Sequence, residues 1–94
     1  MNHSEITLDL AQGEFHMQVD GQDCSLGFRL ADNTVAIDHV RVPDAVGGRG
    51  LAGQLTRHAL DWARSNDYRV QPNCPYVRSW IARHPDYADL VEAD

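Results

Sequence analysis

A glycine-rich stretch, Val46-Gly47-Gly48-Arg49-Gly50-Leu51-Ala52-Gly53, constrains this chain more than any other feature. Before it lies a strand-like run, Val35-Ala36-Ile37-Asp38-His39-Val40-Arg41-Val42-Pro43. After it lies a long amphipathic run that starts at Gln54 and carries Leu55, Ala59 and Trp62 at helical spacing. A glycine-rich turn that enters a helix from a strand leaves backbone N–H groups free. The helix N-terminus adds roughly half a positive charge to them. The segment therefore reads as a phosphate-binding loop, with a plain strand-to-helix turn as the alternative.

With 94 residues the chain has room for one domain, spanning 1–94, with a modest core. No apolar run approaches the roughly 20 residues of a membrane helix, and the N-terminus has neither the basic nor the apolar region of a signal peptide. Cytoplasmic placement is the expectation. Cys24 and Cys74 form no zinc pattern, so no metal is expected, and a disulfide between them is disfavoured in a reducing compartment.

The net charge of −6 is unevenly distributed. Residues 1–38 carry −6, residues 39–83 carry +4 and residues 84–94 carry −4. The glycine loop lies in the basic segment, which would attract a polyphosphate. The alternative is an ordinary solvated helix face. Nucleic-acid binding is disfavoured, since no basic run exists and both flanks repel phosphate. There is no lysine. Genome composition explains that simply, although a protein handling activated acyl groups also gains from having no acylatable amine.

The pattern predicts an α+β fold of order β-β-β-α-β-α. Ile6, Leu8 and Leu10 suggest a short extended segment before it. Strands are expected over Glu14–Val19, 23–30 and 35–42, with Asp20-Gly21 as a hairpin turn. A helix is expected over 50–65 with Leu51, Leu55, Ala59 and Trp62 buried. A fourth strand over 68–72 and a second helix over 75–84 follow, the latter opened by Pro75 and closed by Pro85. The acidic residues 86–94 are expected to fray in part.

The run Val40-Arg41-Val42-Pro43, then Gly48-Arg49-Gly50-Leu51-Ala52 and an amphipathic helix, resembles the acetyl-CoA-binding segment of GNAT N-acetyltransferases. That pattern reads Gln/Arg-x-x-Gly-x-Gly/Ala. Gly50 and Ala52 match its last two fixed positions, while Gly47 stands where Gln or Arg is usual. Val70-Gln71-Pro72-Asn73-Cys74-Pro75-Tyr76-Val77 and Ile81-Ala82-Arg83-His84-Pro85 are similar to the small cysteine-containing group of that superfamily. So is His39 followed shortly by Val-Pro. The resemblance covers about residues 14–91. It implies acetyl-CoA as co-substrate and acyl transfer to an amine as chemistry. The acceptor expected from the acidic flanks is a cationic small amine or basic peptide. A CoA-binding module without catalysis, or a protein-interaction domain, is the alternative.

The resemblance places the pyrophosphate on Gly47, Gly48, Arg49, Gly50, Leu51 and Ala52, and the pantetheine arm along the edge formed by Val40, Arg41 and Val42. Arg49 reads either as a phosphate partner or as an exposed arginine. Cys74 opens a helix, where a thiolate is favoured. It reads as a nucleophile that carries the acetyl group, as a residue lining the site, or as a small buried side chain. His39, expected on the face of Val35 and Ile37, reads as the base for an amine or for Cys74, or as a histidine bonded within the sheet. Tyr76 reads as an acid for the leaving thiolate or as packing. His84 reads as packing or helix capping, and Cys24, Trp62 and Trp80 as core.

Overall fold

Two tight turns set the register of the sheet. Asp20 and Gly21, with φ of 50° and 76°, join β2 (Glu14–Val19) to β3 (Gln22–Ala31). Both residues are left-handed, which is the turn whose twist matches its flanking strands. Asp32-Asn33 joins β3 to β4 (Thr34–Arg41). The computed structural model describes residues 5–91. Within them β1 (Thr7–Asp9), β2, β3 and β4 form an antiparallel meander, and β5 (Arg69–Pro72) pairs parallel to β4. The order is β1-β2-β3-β4-β5, so the α+β expectation holds, with β1 added from the Ile6–Leu10 region.

A parallel pair needs a crossover, and helix α1 (Leu51–Ser65) supplies it. Helix α2 (Pro75–Arg83) follows β5. One sheet face is buried by the helices: Phe15, Met17, Leu26, Ile37 and Val70 lie at or below 1% exposure beneath Leu55, Ala59 and Leu60. Trp62 departs from the expected stripe and is half-buried at its flank, edge-on to Phe15 at 5.4 Å. Ala59 and Ala63 take the centre at 1% and 0% exposure, and that close approach of helix to sheet leaves no volume for an indole.

The C-terminal segment also departs from expectation. Pro85–Leu90 is a 3₁₀ turn that buries Tyr87 and Leu90, and Val91 bridges Val70 on the outer edge of β5. Residues 92–94 lie outside the described residues. Arginines hold this segment down. Arg64 donates to both Asp89 carboxylate oxygens at 3.0 Å and to the Asp86 carbonyl at 2.8 Å, and Arg69 donates to the Val91 carbonyl at 3.0 Å. Arg57 lies 5.2 Å over the Trp80 ring and donates to the Tyr87 hydroxyl, which itself donates to Asp61. Much of the basic character of residues 39–83 is thus occupied in tying the tail to α1 and β5.

Candidate active site

The parallel pairing of β4 with β5 stops early. Thr34, Val35, Ala36 and Ile37 pair with Arg69, Val70, Gln71 and Pro72, and the Ile37 carbonyl then accepts two last hydrogen bonds, from Asn73 N (3.0 Å) and Cys74 N (3.1 Å). Beyond Ile37, β4 continues through Asp38, His39, Val40 and Arg41 with β3 as its only partner strand among the described residues. The two strands therefore part in a fork. Its β4 side has no further partner strand among the described residues, and its other side is the N-terminus of α2. Val40 and Arg41 lie on this open limb, and Val42 follows directly after its end.

The fork coincides with a β-bulge. Phe28 pairs with Ile37, but Gly27 pairs with His39, so β4 carries one extra residue at Asp38. A bulge turns successive side chains to one face and bends the strand. Val40 pairs with Leu26 and packs on the helix-side core. His39 instead lies on the opposite, helix-free face, against the bare backbone of Gly27. A Cβ on Gly27 would sit 2.3 Å from His39 Cε1 and 2.6 Å from Nε2. The expectation that His39 shares the face of Val35 and Ile37 is therefore corrected.

At the other end of the open limb, a 3₁₀ turn (Asp44–Val46) leads into the glycine loop. Gly48 and Gly50 have φ of 79° and 75°, a region that favours glycine, and a Cβ at either would meet nothing within 4 Å. Gly50 is the N-cap of α1. It supplies no side-chain cap, the first turn holds no acid, and the first helical bond is from Gln54 N to the Gly50 carbonyl. The N–H groups of Leu51, Ala52 and Gly53 are thus left without a helical partner at the positive end of the helix. These features fit a pyrophosphate. Gly47 is extended (φ −68°), so its lack of a side chain is not forced by the backbone. Arg49 donates to Asp20 in the β2–β3 turn at 2.8 Å, in an exposed pair. It would have to change partner to reach a phosphate.

Cys74 is the N-cap of α2, 7% exposed, and belongs to the helix-side core cluster. His39 and Cys74 thus flank the fork from opposite faces of the sheet. Both cysteines are free. Burial, then the Asp23 carboxylate, pushes the Cys24 thiol up, which keeps it protonated and inert. Tyr76 is 38% exposed, and its hydroxyl lies 3.4 Å from where a Gly53 Cβ would be, beside the first turn of α1. His84 caps α2: its Nδ1 donates to the Trp80 carbonyl at 2.7 Å, and its ring stacks on Trp80 at 3.7 Å.

Sequence reasoning missed Asp38 at the fork. Arg29 Nε and Nη2 donate to its carboxylate at 2.7 and 3.0 Å, and Asn73 Nδ2 donates at 3.0 Å. Hydrogen bonds from Arg29 and then Asn73 hold the Asp38 carboxyl down to about 2. The native state therefore favours the ionised form. The stability this contributes is present above pH 4, the usual carboxylate range, and is lost as pH falls through about 2. For a carboxylate one-third exposed, solvent screening reduces it to about 1 kcal/mol. Asp38→Asn should therefore flatten the acid limb of the stability curve between pH 4 and 2, measured by urea denaturation.

The sequence profile of the GCN5-related N-acetyl-transferase family matches residues 14–90, and the chain belongs to that family. Protein NATD1 of Xenopus tropicalis is 35% identical over 56 residues, covering 60% of this chain and 51% of that protein. Protein NATD1 of Homo sapiens is 33% identical over 60 residues, covering 64% and 50%. The chain spans about half the length of the curated relatives it matches. The solution structure of a GCN5-like protein from Staphylococcus aureus superposes with a TM-score of 0.76 at 24% identity, covering 100% of this chain and 93% of that one, and shares the fold.

Proposed function

We propose that this protein is an acetyl-CoA-dependent N-acetyltransferase in which Cys74 carries the acetyl group on its way to an amine. The observation that carries the reading is the fork. β4 runs on past its last partner on β5, with an uncapped helix N-terminus at one end and Cys74 at the other. Membership of the GCN5-related family supports the same chemistry.

In this reading, the N–H groups of the loop at 47–52 hold the pyrophosphate, and the edge formed by Val40, Arg41 and Val42 pairs with the amide groups of the pantetheine arm. The thioester then lies in the fork, where backbone N–H groups of β4 polarise its carbonyl. Cys74 Sγ attacks the carbonyl carbon. An S–C bond forms on Cys74, the C–S bond to CoA breaks, and the thiol proton of Cys74 passes to the CoA sulfur, with Tyr76 as a candidate relay. One thioester replaces another, so the step is not strongly uphill. The amine enters from the helix-free face, where His39 accepts its proton. The N–C bond forms as the C–S bond to Cys74 breaks; the first proton of the arriving ammonium has gone to His39, and the second proton shed by the nitrogen passes to the Cys74 sulfur and restores the thiol. The acidic segment 1–38 suits a cationic amine or basic peptide as acceptor. A reducing cytoplasm suits a free nucleophilic thiol.

Acetyl-CoA and CoA should each raise the melting temperature, and dephospho-CoA should do so less. Binding to the folded state alone adds about 2.7 kcal/mol at a hundredfold excess over Kd. No shift at millimolar ligand overturns the reading. Gly47 supports a second reading, a CoA-binding module without catalysis, because the side chain usual in the family is missing at a position whose backbone would accept one. A thermal shift without acetyl transfer to any of a panel of amines would favour it.

A further inference from the structure

One hydrogen bond links the residues that directly precede the two candidate catalytic side chains. Asp38 precedes His39, Asn73 precedes Cys74, and the Asn73 amide donates to the Asp38 carboxylate at 3.0 Å across the point where the strands part. We infer that Asp38 and Asn73 form a clasp that fixes the width of the fork, and that both are positioning residues for acetyl transfer rather than for CoA binding. This rests on the acetyltransferase reading.

Three observations carry it. Asp38 is the residue added by the bulge, so its presence is what sends His39 to one face and Val40 to the other. Its carboxylate is gripped from β3 by two Arg29 donors, which ties the clasp to the middle of the meander. Asn73 is held on every polar atom. Its N–H donates to the Ile37 carbonyl, its carbonyl accepts from Arg78 at 2.8 Å, and its side-chain oxygen accepts from Gln71 at 3.2 Å. These bonds orient Asn73 immediately before Cys74. A clasp of this kind costs nothing at the reaction because its groups are oriented beforehand. The glycine loop has no part in it, so its loss should leave CoA affinity alone.

The test compares the parent with Asn73→Ala, Asp38→Asn and the exchange Asp38→Asn with Asn73→Asp. The exchange restores one carboxylate–amide bond across the fork. Two quantities are read: Kd for CoA by calorimetry, and the single-turnover rate of acetyl loss from acetyl-CoA. The expected result is a Kd within threefold of the parent for all variants, a rate at least tenfold lower for each single variant, and partial recovery in the exchange. Asn73→Ala keeps the Arg29–Asp38 pair and so remains informative if Asp38→Asn folds poorly. Parental rates in a folded Asn73→Ala overturn the clasp while leaving the acetyltransferase reading standing. Rate and affinity lost in equal measure also overturn it, as a general structural defect. A parent that binds CoA but never consumes acetyl-CoA overturns both readings.

Discussion

Gly50→Glu is expected to weaken acetyl-CoA binding at least a hundredfold and to leave a folded protein. The two halves of the result have separate causes. A side chain at Gly50 has empty space around it, so there is no clash to disrupt the core. The cost is a left-handed φ of 75°, about 1 kcal/mol for a non-glycine residue. A carboxylate at the N-cap of α1 also interacts favourably with the helix N-terminus, which offsets part of that strain. The same carboxylate then occupies the N–H groups proposed for the pyrophosphate and repels it. The fold is checked by circular dichroism and the binding by calorimetry. Undiminished CoA affinity in a folded Gly50→Glu would mean that the ligand is not held at residues 47–52.

The outline of the fold is readable because each signal has a local cause. Asp20-Gly21 demands a hairpin. Pro43 and the glycines end a strand, and the spacing of Leu51, Leu55 and Ala59 marks a helix face. The C-terminal turn is less readable, because what holds it is tertiary. Arg57, Arg64 and Arg69 reach it from α1 and β5, and no local pattern in residues 85–91 announces that. The bulge is different, since its signal is present in the sequence. Apolar residues fall at Val35 and Ile37, then at Val40 and Val42, so the alternation slips by one between them. A period of two that changes phase within one strand is what an inserted residue produces. Continuing the first phase puts His39 on the wrong face and leaves Asp38 as a solvent residue. Reading the slip places Asp38 as the extra residue and separates His39 from the core side, where Cys74 lies. Asn73 is legible as a cap-region residue, but its engagement with Asp38 comes from the parallel pairing, which the sequence does not display.

Cys74→Ser gives the sharpest separation between structural and chemical roles. Cys74 is the N-cap of α2 with φ −76° and ψ 125°, and its side chain caps nothing. Serine is among the best N-cap residues and would accept a hydrogen bond from the first turn of α2, worth about 1 kcal/mol. The variant should therefore be at least as stable as the parent, whereas Cys74→Ala gains no such cap. Both should bind CoA normally, because the phosphates are assigned to residues 47–52. Both should lose most acetyl transfer, since a serine hydroxyl without an adjacent base is a far poorer nucleophile than a thiol. Intact-mass measurement after incubation with acetyl-CoA should find one acetyl group on the parent, located at Cys74 by peptide mapping, and none on either variant. Cys24, at 0% exposure and with its thiol pushed up by burial, should stay unmodified throughout. Parental transfer rates in Cys74→Ser would rule out the covalent route. The amine would then attack acetyl-CoA directly across the fork, with His39, on the face from which the amine arrives, as its base.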